Sequence, residues 1–364
     1  MTSAVARLAE HGQSPWYDNL NRDFIVGGGL ARMIHEHGVA GATSNPTIFE
    51  KAVSGSDAYD EQLARLAGNG LAPTDIYWEL MLADIERASE VFRPVHDERD
   101  GRDGFVSVEV DPGLAHDTDG TIEQARLLHQ RLGQPTVMVK IPGTSEGIPA
   151  VEAMIAEGRN VNVTLIFGLE RYAEVIEAYV RGLERFADAG GDPATVASVA
   201  SFFVSRVDTE VDRRLPDDHP LRGRAAVANA KLAYRIFRER FGAERWQELA
   251  HRGGRVQRPL WASTSTKNPA YPDTLYVDEL VGRDTVNTLA DESVEALLDH
   301  GDPRADTVEE RVEEAEAVLA GLVEAGVDVD DVTATLEREG VDKFAESFRT
   351  CLATIEKRAA DIGP

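Results

Sequence analysis

Eight short runs of strand character, separated by longer stretches of helical period, constrain this chain more than any other feature. The runs cover residues 15–20, 39–45, 105–110, 136–141, 161–167, 196–203, 258–264 and 285–289. Several are rich in Val, Ile and Thr, as strands covered on both faces are. Between them, 122–132 follows Thr121 and 148–157 follows Gly147. Residues 169–189 carry Tyr172, Val175, Ile176, Tyr179, Leu183 and Phe186 on one helical stripe, and 225–241 repeats that pattern. Eight strands alternating with helices predict an α/β chain folded as a (β/α)8 TIM barrel. An open doubly wound sheet is the alternative. No GxGxxG and no GxxxxGKS/T follows any run, which weakens the nucleotide-binding form of that alternative. Glycines 27–29 lack that spacing and read as a flexible turn.

No repeat and no long low-complexity linker interrupts the chain, so 1–364 is expected to form a single barrel domain. Residues 300–364 read as a helical extension packed on it. Segment 302–331 is crowded with Asp and Glu and suits solvated helix faces. Segment 341–360 has an apolar stripe of Phe344, Phe348, Leu352 and Ile355.

Composition narrows the partners. Lys plus Arg number 38 against 64 Asp plus Glu, a net charge of −26. Such a balance repels nucleic-acid phosphates and anionic membrane surfaces, so neither is expected as a partner. No run of 18 apolar residues occurs. The opening residues lack an apolar h-region, and a cytoplasmic location is expected. The single cysteine, Cys351, excludes a disulfide and a Cys-based zinc site within one chain. His35 and His37 are spaced too closely to share a helical face, and no third ligand accompanies them. A metal site is therefore not expected. No GxSxG occurs to suggest a serine nucleophile.

Only six of the basic residues are Lys, and the other 32 are Arg. A lysine kept in an apolar setting therefore raises the question whether its site needs an amine, because a guanidinium stays protonated. Lys140 lies in TVMVKIPGT among Val137, Met138, Val139 and Ile141. It must either pair with a carboxylate as a structural ion pair or give up its proton and become a nucleophile for carbonyl carbon.

Alternation places Ser107, Glu109 and Asp111 on one face of their strand, and Asn160, Asn162 and Thr164 on one face of another. Thr43 and Asn45 share a third such face. Polar faces on enclosed strands must meet a ligand or one another. Strands three and four are sequential, which sets Glu109 beside Lys140. Most of these groups fall near the C-terminal ends of their runs, where barrel enzymes place their sites. Arg206 and Lys267 follow strand ends, Ser263 lies in the run 258–264, and these are candidates for gripping an anionic substrate group.

The segments GATSNPTIFEKA, VSVEVDPGLAHDT, VMVKIPGTSEGI, NVNVTLIF, SFFVSRVD and RPLWASTSTKNPAYPDTLYV resemble the transaldolase family. They stand in the family's order from about residue 14 to 290, and the tail resembles the longer bacterial branch. The resemblance implies a Schiff-base barrel enzyme of the pentose phosphate pathway that uses no cofactor. It would move a dihydroxyacetone unit from a ketose phosphate to an aldose phosphate. By resemblance Lys140 is the Schiff-base lysine and Asp18 the acid/base carboxylate on the first strand. Glu109 and Thr164 would hold the catalytic water, and Asn45 and Asn162 the dihydroxyacetone hydroxyls, with Thr43 and Ser107 nearby. Ser201, Arg206 and Ser263 would line the site or grip the phosphate. One position departs from the family: Ser265 stands where an Arg is common, two residues after Ser263. Either Lys267 supplies the second cation or Arg206 holds the phosphate mainly alone. A fructose 6-phosphate aldolase-like lyase and a non-catalytic sugar-phosphate-binding barrel are the alternatives. A monomer or homodimer is expected.

Overall fold

The strands of the structure are Gln13–Tyr17 (β1), Gly41–Thr43 (β2), Phe105–Glu109 (β3), Val137–Pro142 (β4), Val161–Ile166 (β5), Ser198–Phe203 (β6), Arg258–Ala262 (β7) and Thr285–Leu289 (β8). Each pairs in parallel with its sequence neighbour, and β8 closes on β1 in a register from Gln13↔Thr285 to Tyr17↔Leu289. The structure, a computed structural model, describes residues 2–362. Closure establishes the (β/α)8 barrel and removes the open-sheet alternative.

Seven of the predicted runs overlap their strands with small shifts at the ends, whereas β1 begins earlier and ends earlier than 15–20. Gln13 and Ser14 are polar yet buried, because each is paired. Gln13 Nε2 donates to the Leu280 carbonyl (2.8 Å) and to Thr285 Oγ1 (3.0 Å), and Ser14 Oγ donates to Asp103 Oδ2 (2.8 Å). Asp18 consequently stands just past the end of β1 rather than on it.

Large side chains pack together between β1 and β3. Trp16 and Phe105 lie with ring centroids 6.3 Å apart. Gly41 makes room for them, since a Cβ at this position would meet the Trp16 ring at 2.5 Å. One apolar core runs continuously from Ala4 to Ile355, so the C-terminal segment is packed into the same core as the barrel.

The predicted tail helix is longer than its apolar stripe suggested: it spans Val329–Ile362, 34 residues. It lies over the barrel mouth where the strands end. Asp331 pairs with Arg214 at 2.6 Å, Gly340 packs close to Leu165 of β5, and Ser347 bonds Thr47 (2.7 Å). The rings of Phe348 and Tyr77 meet edge to face at 4.7 Å. Arg358 then anchors the far end on the Ser56 carbonyl and Asp60. In the acidic segment before it, helix Val312–Glu324 turns Ala315, Val318 and Leu322 inward and leaves most of its carboxylates in solvent.

Candidate active site

Adjacent parallel strands bring the two central groups together. In the β3–β4 ladder Glu109 is the partner of Lys140, and in the β4–β5 ladder Lys140 is the partner of Asn162. Lys140 Nζ stands 3.3 Å from Glu109 Oε2 and donates to the Ser44 carbonyl at 3.1 Å. Both side chains are buried, at 6% and 4% exposure. The lysine thus has the carboxylate neighbour that strand order predicted. The 3.3 Å approach is not aligned as a hydrogen bond, so Glu109 Oε2 has no directed donor among the described residues; Thr164 Oγ1 is likewise buried and unpartnered.

Burial raises the Glu109 pKa above the usual carboxylate range, against the pull of the Lys140 charge, and the Asp18 charge adds to the rise. Asp18 is half-buried and shifts the same way. Burial is again the larger influence, opposed by the Thr43 hydroxyl and by the charges of Lys140, Arg206 and Lys267. Thr43 Oγ1 donates to Asp18 Oδ1 at 2.5 Å and lies 3.0 Å from Thr288 Oγ1. The residues on either side of Asp18 are tied to one carboxylate: Tyr17 and Asn19 both donate to Asp291 at the start of helix Asp291–His300.

A second polar chain crosses the barrel interior. Asn162 Nδ2 donates to Ser107 Oγ (3.0 Å), and Asn162 Oδ1 accepts from Ser201 Oγ (2.7 Å). This leaves one N–H and one lone pair of the amide uncommitted. Asn45 accepts from the Ile48 backbone N–H at 3.0 Å as the N-cap of helix Pro46–Gly55, with Pro46 in the first turn. The TSNP segment is thus a strand end, a cap and a helix start, and the Asn45 amide nitrogen is spare.

Arg206 lies in the first turn of the helix Ser205–Arg214 after β6, and its guanidinium stacks 5.1 Å from the Phe203 ring centroid. Burial lowers its pKa, with Asp18 and then Glu339 opposing the shift. Ser263 lies beside this helix start, its hydroxyl 3.0 Å from Ser205 Oγ. Lys267 is exposed at the rim and bonds Ser265 Oγ at 2.5 Å.

Two non-glycine residues with positive φ flank these groups: Leu165 (φ 59) and Ser263 (φ 55). Leu165 sits where the β5–β6 register shifts, directly after Thr164. Such strained backbone gathers at functional sites.

Two members of the predicted polar faces do not join the site. Asn160 precedes β5 and ties strand beginnings together, donating to the Pro135 carbonyl (3.0 Å) and accepting from the Ala197 N–H (2.9 Å). Asp111 lies past β3 and accepts from the Gly113 N–H at 2.8 Å as a turn cap. Strand alternation gives the face but not the depth. Residues that sequence reasoning passed over include Thr288 and, above all, Phe344. The Phe344 ring centroid lies 5.9 Å from Lys140 Nζ, so the tail helix roofs the lysine. A separate cavity of about 990 Å³ opens at the opposite end of the barrel, around Arg99, Arg258 and Met138. Lys140, Glu109, Asp18, Asn162 and Arg206 are not among the residues that line it.

A closed parallel barrel carrying a buried lysine–carboxylate pair, a second carboxylate and an arginine at the mouth where its strands end defines a (β/α)8-barrel enzyme. The family described as Transaldolase/Fructose-6-phosphate aldolase matches residues 15–355. A protein named Transaldolase from Acidothermus cellulolyticus is 50% identical over 361 residues, which cover 98% of this chain and 97% of that one. Its namesake from Saccharopolyspora erythraea is 49% identical over 359 residues, covering 98% of each chain. A third, from Thermobifida fusca, is 48% identical over 365 residues, covering 99% of each. The chain belongs to the transaldolase/fructose-6-phosphate aldolase family and is an enzyme of the transaldolase type. Among the described residues no helix is long and apolar enough to cross a membrane.

Proposed function

We propose that the enzyme transfers a dihydroxyacetone unit from a ketose phosphate, such as fructose 6-phosphate or sedoheptulose 7-phosphate, to an aldose phosphate, such as erythrose 4-phosphate or glyceraldehyde 3-phosphate. It would do so through a Schiff base on Lys140, in the non-oxidative pentose phosphate pathway. The observation that carries this reading is the buried Lys140 beside Glu109, at the strand ends and within electrostatic reach of Asp18.

Glu109, whose pKa burial raises, is suited to take a proton from the lysine and leave a neutral amine. Lys140 Nζ adds to the ketose C2 carbonyl, and the carbinolamine loses water to give an iminium. Glu109 and Thr164, with their unpartnered buried oxygens, are suited to hold and protonate that water. Asp18 takes the C4 hydroxyl proton. The C3–C4 bond then breaks, its electron pair moves into the iminium to form an enamine, and the aldose leaves. The enamine carbon attacks the acceptor aldehyde, Asp18 returns the proton to the new alkoxide, and hydrolysis frees Lys140. The spare amide groups of Asn45 and Asn162 suit the hydroxyls of the held unit, beside Thr43, Ser107 and Ser201. Arg206 suits the substrate phosphate, with Ser263 alongside and Lys267 at the rim. The ring of Phe344 limits water at the intermediate.

The test separates transfer from cleavage. With fructose 6-phosphate alone, glyceraldehyde 3-phosphate should appear as a burst of about one equivalent per active site and then stop. Erythrose 4-phosphate should restore turnover. Steady release of free dihydroxyacetone without an acceptor would instead make the enzyme a lyase.

A further inference from the structure

The end of β8 grips the chain on both sides of Asp18. The β1–β8 register pairs Tyr17 with Leu289, and the Asp18 N–H then donates to the Leu289 carbonyl at 3.0 Å. Two residues after Leu289, Asp291 opens helix Asp291–His300, where a negative side chain is favoured. Its two oxygens take the side chains that flank Asp18. Tyr17 Oη donates to Oδ1, and Asn19 Nδ2 donates to Oδ2 at 2.6 Å. Tyr17 is buried, with its ring 5.0 Å from that of Phe24. Burial and then the Asp291 carboxylate push its phenol pKa up, so it stays a donor. The Asp18 carboxylate is oriented by a separate chain of hydroxyls. Thr43 donates to it at 2.5 Å, and the single O–H of Thr43 is spent there while Asp18 is ionised. Thr288 Oγ1, 3.0 Å from Thr43 Oγ1, is therefore the donor of that pair. The two threonines fix where the carboxylate points. The backbone of residues 17–19 fixes where it stands, and Asp291 is the side chain that holds that backbone from both sides.

We propose that Asp291 is a positioning residue of the transfer reaction: by clamping Tyr17 and Asn19 it holds Asp18 where the C4 hydroxyl proton of the ketose can be taken. This deepens the reading given under the proposed function and rests on it for the role of Asp18. A general base must stand within hydrogen-bond reach of the proton it takes, and a displacement of about 1 Å costs about a hundredfold in rate. Asp291 acts through its two neighbours and not on the substrate. Lys140 and Glu109 are held by the β3–β4 ladder instead. Loss of the clamp should therefore slow cleavage of the C3–C4 bond and leave the addition of Lys140 to the ketone as it was.

The test is borohydride reduction during incubation with fructose 6-phosphate, read by the mass left on Lys140. The parent should carry chiefly the three-carbon dihydroxyacetone unit. In Asp291→Ala cleavage lags behind addition, so the adduct should shift toward the whole six-carbon phosphate, and kcat should fall about tenfold to a hundredfold. A merely structural loss would lower both adducts together and leave their ratio unchanged. Asp291→Asn should restore most of kcat, because its amide accepts from Tyr17 and, with the Asn19 amide reversed, donates to Asn19. Tyr17→Phe, which removes one of the two ties and keeps the ring, should shift the adducts the same way by less. Glu292→Gln takes an equal charge from the same helix turn at an exposed position and should leave kcat within about twofold. An unchanged adduct ratio in both Asp291→Ala and Tyr17→Phe, or a loss in Asp291→Asn as large as that in Asp291→Ala, would overturn the proposal. Asp18→Asn, run alongside, should trap the whole ketose phosphate. If it does and Asp291→Ala does not, the positioning role alone falls. If Asp18→Asn still reaches the three-carbon adduct at the parental rate, the acid/base reading of Asp18 falls, and the role of Asp291 with it.

Discussion

Replacing Lys140 by Met tests the electrostatics of the site apart from its chemistry. The side chain keeps its length and burial, but Glu109 loses the cation 3.3 Å away and remains enclosed beside Asp18. A buried carboxylate left charged and unpaired would cost about 3–5 kcal/mol. Protonation offers a cheaper state. Keeping a carboxyl with an ordinary pKa near 4.5 neutral at pH 7 costs about 3 kcal/mol, at about 1.4 kcal/mol per pH unit, and at pH 5 less than about 1 kcal/mol. The folded variant thus binds a proton that its unfolded chain releases, so its stability falls as pH rises. Urea denaturation of Lys140→Met between pH 5 and 7 should show a destabilisation that grows from about 1 to about 3 kcal/mol relative to the parent. Adding Glu109→Gln should abolish that growth, because the amide does not titrate. A destabilisation that is flat with pH, or one that Glu109→Gln leaves untouched, would refute the coupling of the two groups.

Other expectations follow from the same contacts. Thr43→Val removes the hydroxyl that favours the ionised Asp18, so the Asp18 pKa should rise and the acid limb of the kcat/KM profile should move to higher pH. Arg206→Ala should raise KM for phosphorylated acceptors about tenfold to a hundredfold, with much less effect on unphosphorylated ones, in initial-rate assays. At the other end of the barrel, Asp103 accepts from Ser14, Trp16, Arg99 and Arg258. Burial pushes its pKa up, but Arg258 and these hydrogen bonds outweigh that and hold it below the usual carboxylate range. The stability Asp103 contributes is present above its unfolded pKa and lost on acidification through its folded one. Asp103→Asn should cost about 3 kcal/mol in denaturant titrations while kcat at permissive temperature is kept.

The site was legible in sequence wherever it depends on strands that are neighbours along the chain. Glu109 and Lys140 meet because alternation fixes their faces and parallel pairing fixes their register. Lys140 and Asn162 meet for the same reason. Depth along the barrel was not legible, which is why Asn160 and Asp111 share a periodicity with site residues yet serve as strand tie and turn cap. The β1 boundary was obscured because Gln13 and Ser14 satisfy their polarity through partners far away in sequence. Phe344 showed only as one member of an apolar stripe. A stripe says that a helix packs, not what it packs over, and so the roof above Lys140 emerges only with tertiary structure.

Borohydride trapping puts the amine at position 140 to the most direct test. The enzyme is incubated with fructose 6-phosphate, reduced, digested and analysed by mass spectrometry. A reduced dihydroxyacetone adduct on Lys140 that disappears in Lys140→Arg is the predicted result. An adduct on Lys51, Lys267 or Lys343, or no adduct in an enzyme that still turns over, would contradict it.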